Sequence, residues 1–510
     1  MVRTKPVGEP STSTTNDAPT SASLTESVPV LTAVGIAGGI LIAVSSYWVA
    51  AIPVFFRQPN RAVISALPIS GLIPRLGFYL GLALLCLAWL QLGRLTLLRA
   101  PGTDWRAIRR ISISWLVPIS LSVPLGSRDL WAYAAQGQLV HHHLDPYTLG
   151  PSALPGSFAV EVSHRWVDSP APYGPLWLLL GRGVAAVTDS VSVTVAILRL
   201  LAVLGVLLMI WALPTLAERA GGRADIALWI GVANPLVLVL GVGGGHNDML
   251  MVGLMVAGLV FATGPGGIGR TLVLGTAIAT TSVAIKSPSV VAVAFIVPLW
   301  LHHAPMARAH RSTRGVMVST LIVAVVSIGV FAAITAISGL GLGWVKLVNS
   351  AAPIVNWMSI PTLLAICWNL AIGVWDGTTN VNATMRGFRS AGTVVTLILL
   401  TITWVRALRR DWWTMLVVAL FVVVVLGPTV QPWYFCWGLA IAAVMTQQLR
   451  SLWLLAGGSI ALVVMIRPNG TGLQMKPVVV LMIAGSLGLA WLILARRNSP
   501  AAQARPTSPA

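Results

Sequence analysis

The stretch GPLWLLLGRGVAAV, Gly174–Val187, decides the topology of this chain. It is apolar but short for a hydrocarbon core of ~30 Å. If it crossed a membrane, every later loop would change sides. Apolar runs recur around it, near 30–53, 75–97, 110–126, 191–214, 224–242, 248–263, 271–286, 289–302, 315–338, 390–406, 413–428, 433–446, 451–466 and 477–495. Between them lie arginine clusters: Arg94, Arg99, Arg106, Arg109 and Arg110, then Arg308, Arg311 and Arg314, then Arg406, Arg409 and Arg410, then Arg496 and Arg497. Cytoplasmic loops carry such an excess. With Gly174–Val187 as a half-helix that does not cross, these clusters share one side, both termini are cytoplasmic and the chain makes about 14 spans. Ile360–Val374 reads as a second half-helix. Arg57, Arg61 and Arg75 then fall outside or at that interface, as exceptions.

Composition agrees. Of 510 residues, 56% are hydrophobic and 9% charged, against about 25% charged in a soluble domain. The fold class is an all-α polytopic membrane protein. A net charge of +19 would suit a nucleic-acid partner, but the arginines follow the positive-inside pattern, so none is expected. Membrane lipids are the expected contacts of the basic loops. Cys86, Cys367 and Cys436 lie in or beside apolar runs without a C-x-x-C partner, which argues against a disulfide framework or a structural zinc. Residues 1–28 are Ser/Thr/Pro-rich without a signal-peptide core and read as a disordered cytoplasmic tail. Residues 29–496 form the membrane domain, and 497–510 a second loose tail. No P-loop, dinucleotide fingerprint or H-E-x-x-H occurs.

This topology sends nearly all the polar chemistry other than arginine to one outer face. Its first large loop, 127–172, holds Asp129, Asp145, Glu161 and Asp168 out of 14 acids in the chain. In SRDLWAYAAQGQLVHHHLDPY, Ser127–Tyr147, a short helix would put Asp129, Tyr133 and Gln136 on one face. An Asp at a membrane boundary suits a general base. A helix cap, or a pair with Arg128, is the alternative. His141, His142 and His143 point about 100° apart on a helix and do not converge on one ion; metal sites favour spacings such as i, i+4. In GGGHNDML, Gly243–Leu250, His246, Asn247 and Asp248 form either a glycine-turn cap or a knot for a polar substrate. Lys286 in AIKSPS and Arg467 in MIRPNGTG stand at outer ends of apolar runs. They would suit a phosphate, or else snorkel to the interface. Trp433 and Tyr434, Asn356 and Trp357, and Tyr173 in SPAPYGPLW mark either an aromatic belt or the walls of a sugar or lipid cleft.

Taken in order, SRDLWAYAAQGQLVHHHLDPY, APYGPLW, NPLVLVLGVGGGHNDMLMVGLM, GLGW, NWMSIPT and QPWYFCW resemble the actinobacterial polyprenol-phosphate-mannose-dependent α-1,6-mannopyranosyltransferases of the MptA/MptB type. The likeness runs from about Ser70 to Ala490, and the short chain brings it nearer to the MptA branch. The resemblance implies a GT-C bundle in a bacterial plasma membrane with its catalytic pocket on the outer, periplasmic face. It implies a polyprenyl-phosphate mannose donor and a lipid-anchored mannan acceptor, extended through α-1,6 links as in lipomannan and lipoarabinomannan backbones. Asp129 matches the family's catalytic Asp, and His246, Asn247 and Asp248 match its H-N-[DE] turn. A β-linked donor giving an α product inverts, so Asp129 is expected as the base, with Arg128, Tyr133, Gln136, Tyr173, His246, Asn247, Asp248, Lys286, Asn356, Trp357, Trp433, Tyr434 and Arg467 as substrate-binding residues. No metal and no cofactor are expected, since a single phosphate diester makes less demand on a cation than a diphosphate. Alternatives are an arabinofuranosyl or phosphatidylinositol-mannoside-elongating transferase, or a lipid-linked-sugar transporter or flippase.

Overall fold

A computed structural model describes residues 21–53, 71–304, 307, 310–347, 354–373, 382–470 and 477–495. Every regular element among them is helical. Most of the two expected tails, with Arg57, Arg61 and Arg308, lies outside the described residues. The first helix, Ser21–Val49, begins inside the segment expected to be a loose tail up to residue 28.

Among the described residues, five helices are long and apolar enough to cross a bilayer: Ser27–Val49, Leu72–Leu97, Val191–Arg219, Thr313–Ser338 and Ala383–Ala407. A bent pair, Ala224–Gly231 with Leu236–Gly243, would make a sixth. Eight further apolar helices have 10–17 residues, a reach of roughly 15–26 Å at 1.5 Å per residue. Most of the runs read as spans are helices of about the same length as the run, so five or six rather than about 14 are long enough to cross on their own. The solvent for this bundle is lipid. Thr313–Ser338 has a mean hydropathy of 2.6 and is almost wholly unburied, and it exposes Met317, Leu321, Val325 and Ile328 in a stripe. Such a surface would drive association in water and is what hydrocarbon wets.

Two expected spans break for identifiable reasons. The run at 224–242 bends by 50° at Asn234-Pro235. Pro235 has no N–H to continue the ladder, and Asn234 repairs the break. Its Oδ1 accepts the Leu236 N–H, and its Nδ2 donates to the Ile230 carbonyl and to Ser459 Oγ. The run at 110–126 is helical only as Trp105–Ser120, with Asp104 capping its start. Beyond it the buried Arg199 collects backbone carbonyls, donating to those of Ser120 and Gly243, each at 3.2 Å, and to that of Ser122. One guanidinium thus ties the irregular lead into Asp129 to the glycine turn that carries His246.

The half-helix is Pro175–Ala185, 11 residues long, about 16 Å and too short to cross. Its start is docked rather than free. The Gly174 N–H donates to the Ile285 carbonyl at 3.1 Å and the Leu176 N–H to that of Ala284 at 2.9 Å. Its flank lies on the helix Asp129–His141 at a glycine-on-glycine contact. A Cβ on Gly137 would stand 2.6 Å from the Gly181 carbonyl oxygen. The second half-helix, Ile360–Ala371, has 12 residues and is capped by Ser359, which accepts the Thr362 N–H.

Candidate active site

Asp129 is the first residue of the helix Asp129–His141, which is not among the apolar membrane helices. It does not cap that helix. The flanking position is Arg128, and the Asp129 N–H is taken by Ser127 Oγ at 3.0 Å. Nor does it pair with Arg128, whose guanidinium reaches Glu161 at 2.8 Å and the Ile52 carbonyl at 3.1 Å. The Asp129 carboxylate is left facing the interior. Burial pushes its pKa up to about 6, against the opposing pull of the Ser127 hydroxyl and the Lys286 charge, with Asp248 adding to the rise.

The side chains around it form a closed ring of contacts. His246 Nδ1 lies 3.5 Å from Asp129 Oδ2, and the imidazole stacks on Trp433 at 3.7 Å. Trp433 meets Tyr434 edge-on, and Tyr434 stacks on Trp437 at 4.6 Å. Trp437 Nε1 donates to Asp248 Oδ1 at 2.6 Å. Lys286 Nζ bridges both Asp248 oxygens at 2.9 Å and sits 4.4 Å over the Tyr434 ring. Tyr173, held by the docked half-helix, stands edge-on to Tyr133 at 5.1 Å, and Tyr133 OH donates to Asn247 Oδ1 at 3.3 Å. Several buried polar atoms here have no hydrogen-bond partner: Gln136 Oε1, both His246 nitrogens, Asn247 Nδ2 and Trp433 Nε1. Buried polar groups are normally paired, so an unpaired cluster beside a carboxylate is the mark of a site built to meet polar ligand atoms.

Of the residues expected from the sequence, Asp129, Tyr133, Tyr173, His246, Asn247, Asp248, Lys286, Trp433 and Tyr434 meet in this ring, with Gln136 one turn beyond Tyr133. Three stand apart. Arg128 is spent on Glu161, as above. Asn356 braces a turn by donating to the Val430 carbonyl and accepting the Met358 N–H. Trp357 lines an apolar groove of about 400 Å³ with Phe421, Phe435, Leu454, Met465 and Ile483. Arg467 is exposed, at the head of a turn that rests on the lead into Asp129. The Gly126 N–H donates to the Pro468 carbonyl at 2.8 Å, and a Cβ on Gly470 would lie 2.9 Å from Ser127 Cα. Lys286 does not present a free charge, because Asp248 neutralises it.

The histidine tract closes its helix. His143 adopts a left-handed backbone, φ 58, its N–H donates to the Val140 carbonyl, and the Leu144 N–H donates to that of Leu139. This is the pair of hydrogen bonds that ends many helices. No group of three metal-ligating side chains occurs among the described residues. The sequence reading gave no role to Trp437 or Arg199, and it named Glu161 among the loop acids without its pairing to Arg128. Trp437 lay in the quoted QPWYFCW, four residues past Trp433, the spacing of one helical face. Arg199 was signalled by its place inside an apolar run.

The comparisons with known proteins decide the family. A family model described as alpha-(1->6)-mannopyranosyltransferase, N-terminal domain, matches residues 32–302, and an MptB C-terminal domain model matches 361–496. The chain belongs to the α-(1→6)-mannopyranosyltransferase family. This transferase is 36% identical over 399 residues to alpha-(1->6)-mannopyranosyltransferase A of Mycobacterium tuberculosis, covering 77% of this chain and 75% of that protein. It is 29% identical to the A enzyme of Corynebacterium glutamicum over 81% of this chain and 87% of that protein. To the B enzyme of that organism it is 28% identical, over 94% and 85%. No solved structure matches the chain. It is a membrane mannosyltransferase.

Proposed function

We propose that this mannosyltransferase takes mannose from polyprenyl-phosphate mannose and adds it, with inversion, to the 6-hydroxyl of a lipid-anchored mannan acceptor on the outer face of the plasma membrane. The bundle is read as GT-C in type. The observation that carries the proposal is the half-buried Asp129 carboxylate, which faces a cluster of unpaired polar atoms with its pKa near 6. A base poised just below neutrality is ionised at working pH and still able to take a proton.

In one displacement the acceptor O6 forms a bond to C1 of the mannose as its proton passes to Asp129. The C1–O bond to phosphate breaks, and its electron pair leaves on the phosphate oxygen. Direct displacement inverts, as in inverting glycosidases. The exposed Arg467 suits the phosphate by charge and by its fork of donors. The apolar groove begins at Phe435 and Met465, beside Tyr434 and near Arg467, and suits the polyprenyl chain. No divalent metal takes part in this scheme, so activity is expected to survive EDTA.

The experiment is Asp129→Asn in membranes supplied with polyprenyl-phosphate mannose and a short α-1,6 mannoside. Transfer should fall by roughly 10²–10⁴-fold, and the wild-type rate should decline below a pH of about 6 as Asp129 protonates. Near-normal transfer by the variant would remove Asp129 as the base.

A further inference from the structure

His246 is close to the reaction centre, and its Nδ1 faces the Asp129 carboxylate. It is fully buried, at 0% exposure, and its ring is pinned on one side by the flat stack on Trp433, with planes 16° apart. Its backbone N–H donates to the Gly241 carbonyl at 2.9 Å. The glycines before it are shaped to this placement. A Cβ on Gly244 would stand 2.8 Å from His246 Cδ2 and 2.9 Å from Nε2. Gly245 has φ +67, and a Cβ there would strike Leu130 at 2.5 Å, on the helix that begins with Asp129. The triple glycine therefore seats one imidazole against one carboxylate.

We propose that His246 is a positioning residue for the transfer reaction: its Nδ1–H points at Asp129 Oδ2 and fixes the rotamer that turns the other carboxylate oxygen to the acceptor hydroxyl. The inference rests on the reading of Asp129 as the base. Burial and the nearby Lys286 charge keep the imidazole neutral, so it carries one N–H, and Nδ1 is the nitrogen that faces a carboxylate. The gap of 3.5 Å closes to a hydrogen bond with a shift of about half an ångström, the kind of tightening that accompanies substrate binding. His246 gains and loses no proton in the step. The acceptor proton goes to Asp129 and then to solvent. The other charged or titratable groups that act on Asp129 or feel its charge are Lys286, Asp248, Tyr133, Tyr173 and Tyr434.

The test compares His246→Phe and His246→Asn in the full chain in membranes, with kcat and KM measured against pH beside Asp129→Asn. Phenylalanine keeps the stack on Trp433 without an N–H. Asparagine returns an amide N–H near the place of Nδ1. His246→Phe should lower kcat by about 10- to 100-fold, leave KM unchanged, and move the acidic limb to higher pH, because the carboxylate loses a donor that favours its charged form. His246→Asn should recover both. An unmoved limb, equal loss in the two variants, or a change in KM rather than kcat would overturn the positioning role while Asp129→Asn still abolished transfer. Near-normal transfer by Asp129→Asn would instead remove the base reading and this inference with it. If His246→Phe does not fold, His246→Gln, which displaces the amide by one methylene, replaces it.

Discussion

Asp129 carries an electrostatic cost that an amide in its place would not. Its carboxyl is raised from 3.8 to about 6 mainly by burial. A raised carboxyl favours the protonated form on folding. Its contribution to stability is complete below pH 3.8 and is lost as pH rises through 6, and at neutral pH the ionised group costs about 3 kcal/mol at most. Asp129→Asn is thus expected to melt a few degrees higher than wild type at pH 7, with the difference vanishing near pH 4. A thermal scan in detergent at both pH values checks this, and a variant that melts lower at pH 7 would contradict it. Asp129 was singled out in the sequence because acids are scarce and its loop held several of them. The residue that answers Lys286 was also quoted there, as Asp248, but the pairing was not legible. The two are 38 positions apart, and only folding brings them together.

The half-helix Pro175–Ala185 shows what an element can do without crossing. Its docked start sets Tyr173 and Trp177 against Tyr133, each ring centroid 5.1 Å away, and Gly181 lets its flank approach the Asp129 helix at Gly137. Close backbone approach at small residues is how helices pack when lipid supplies no hydrophobic drive. Gly137→Leu should push these helices apart, lower stability by about 1–3 kcal/mol or more through overpacking, and abolish transfer although Gly137 touches no substrate. Gly183→Leu, on the same half-helix with open space around its Cβ, should leave both nearly intact. Melting temperature and transfer rate measured together check the pair. Equal behaviour of the two variants would sink the packing argument. The apolar groove gives a second element-scale expectation. Gly458 lines it and has open space at its Cβ, so Gly458→Phe should fold normally and raise KM for a long-chain donor more than for a short-chain one. Equal KM changes would detach the groove from the donor.

Across the whole molecule, the proposed orientation can be read from one exposed position. Ser127 is buried, whereas His142 at the end of the Asp129 helix is exposed. Of the three cysteines, Cys86 and Cys436 are buried and Cys367 is exposed. With Cys367→Ser as background, a cysteine placed by His142→Cys should react with a membrane-impermeant maleimide from outside intact cells, and labelling only after lysis would reverse the topology. The sequence by itself determined the class of this protein. An apolar content of 56% with 9% charge admits only a lipid-embedded bundle, because helices are the cheap way to satisfy backbone polar groups in hydrocarbon. The ordered motifs pointed to the mannosyltransferase family. It did not determine where helices end, because Asn234 and Arg199 act through partners far along the chain, Ser459 for the one and the carbonyls of Ser120, Ser122 and Gly243 for the other. Nor did it tell which polar side chains face a ligand and which are spent on one another. Arg128 went to Glu161, Lys286 to Asp248 and the histidine tract to a helix end. Hydrogen bonds and ion pairs are satisfied by proximity in space, and that proximity is decided only when the bundle packs.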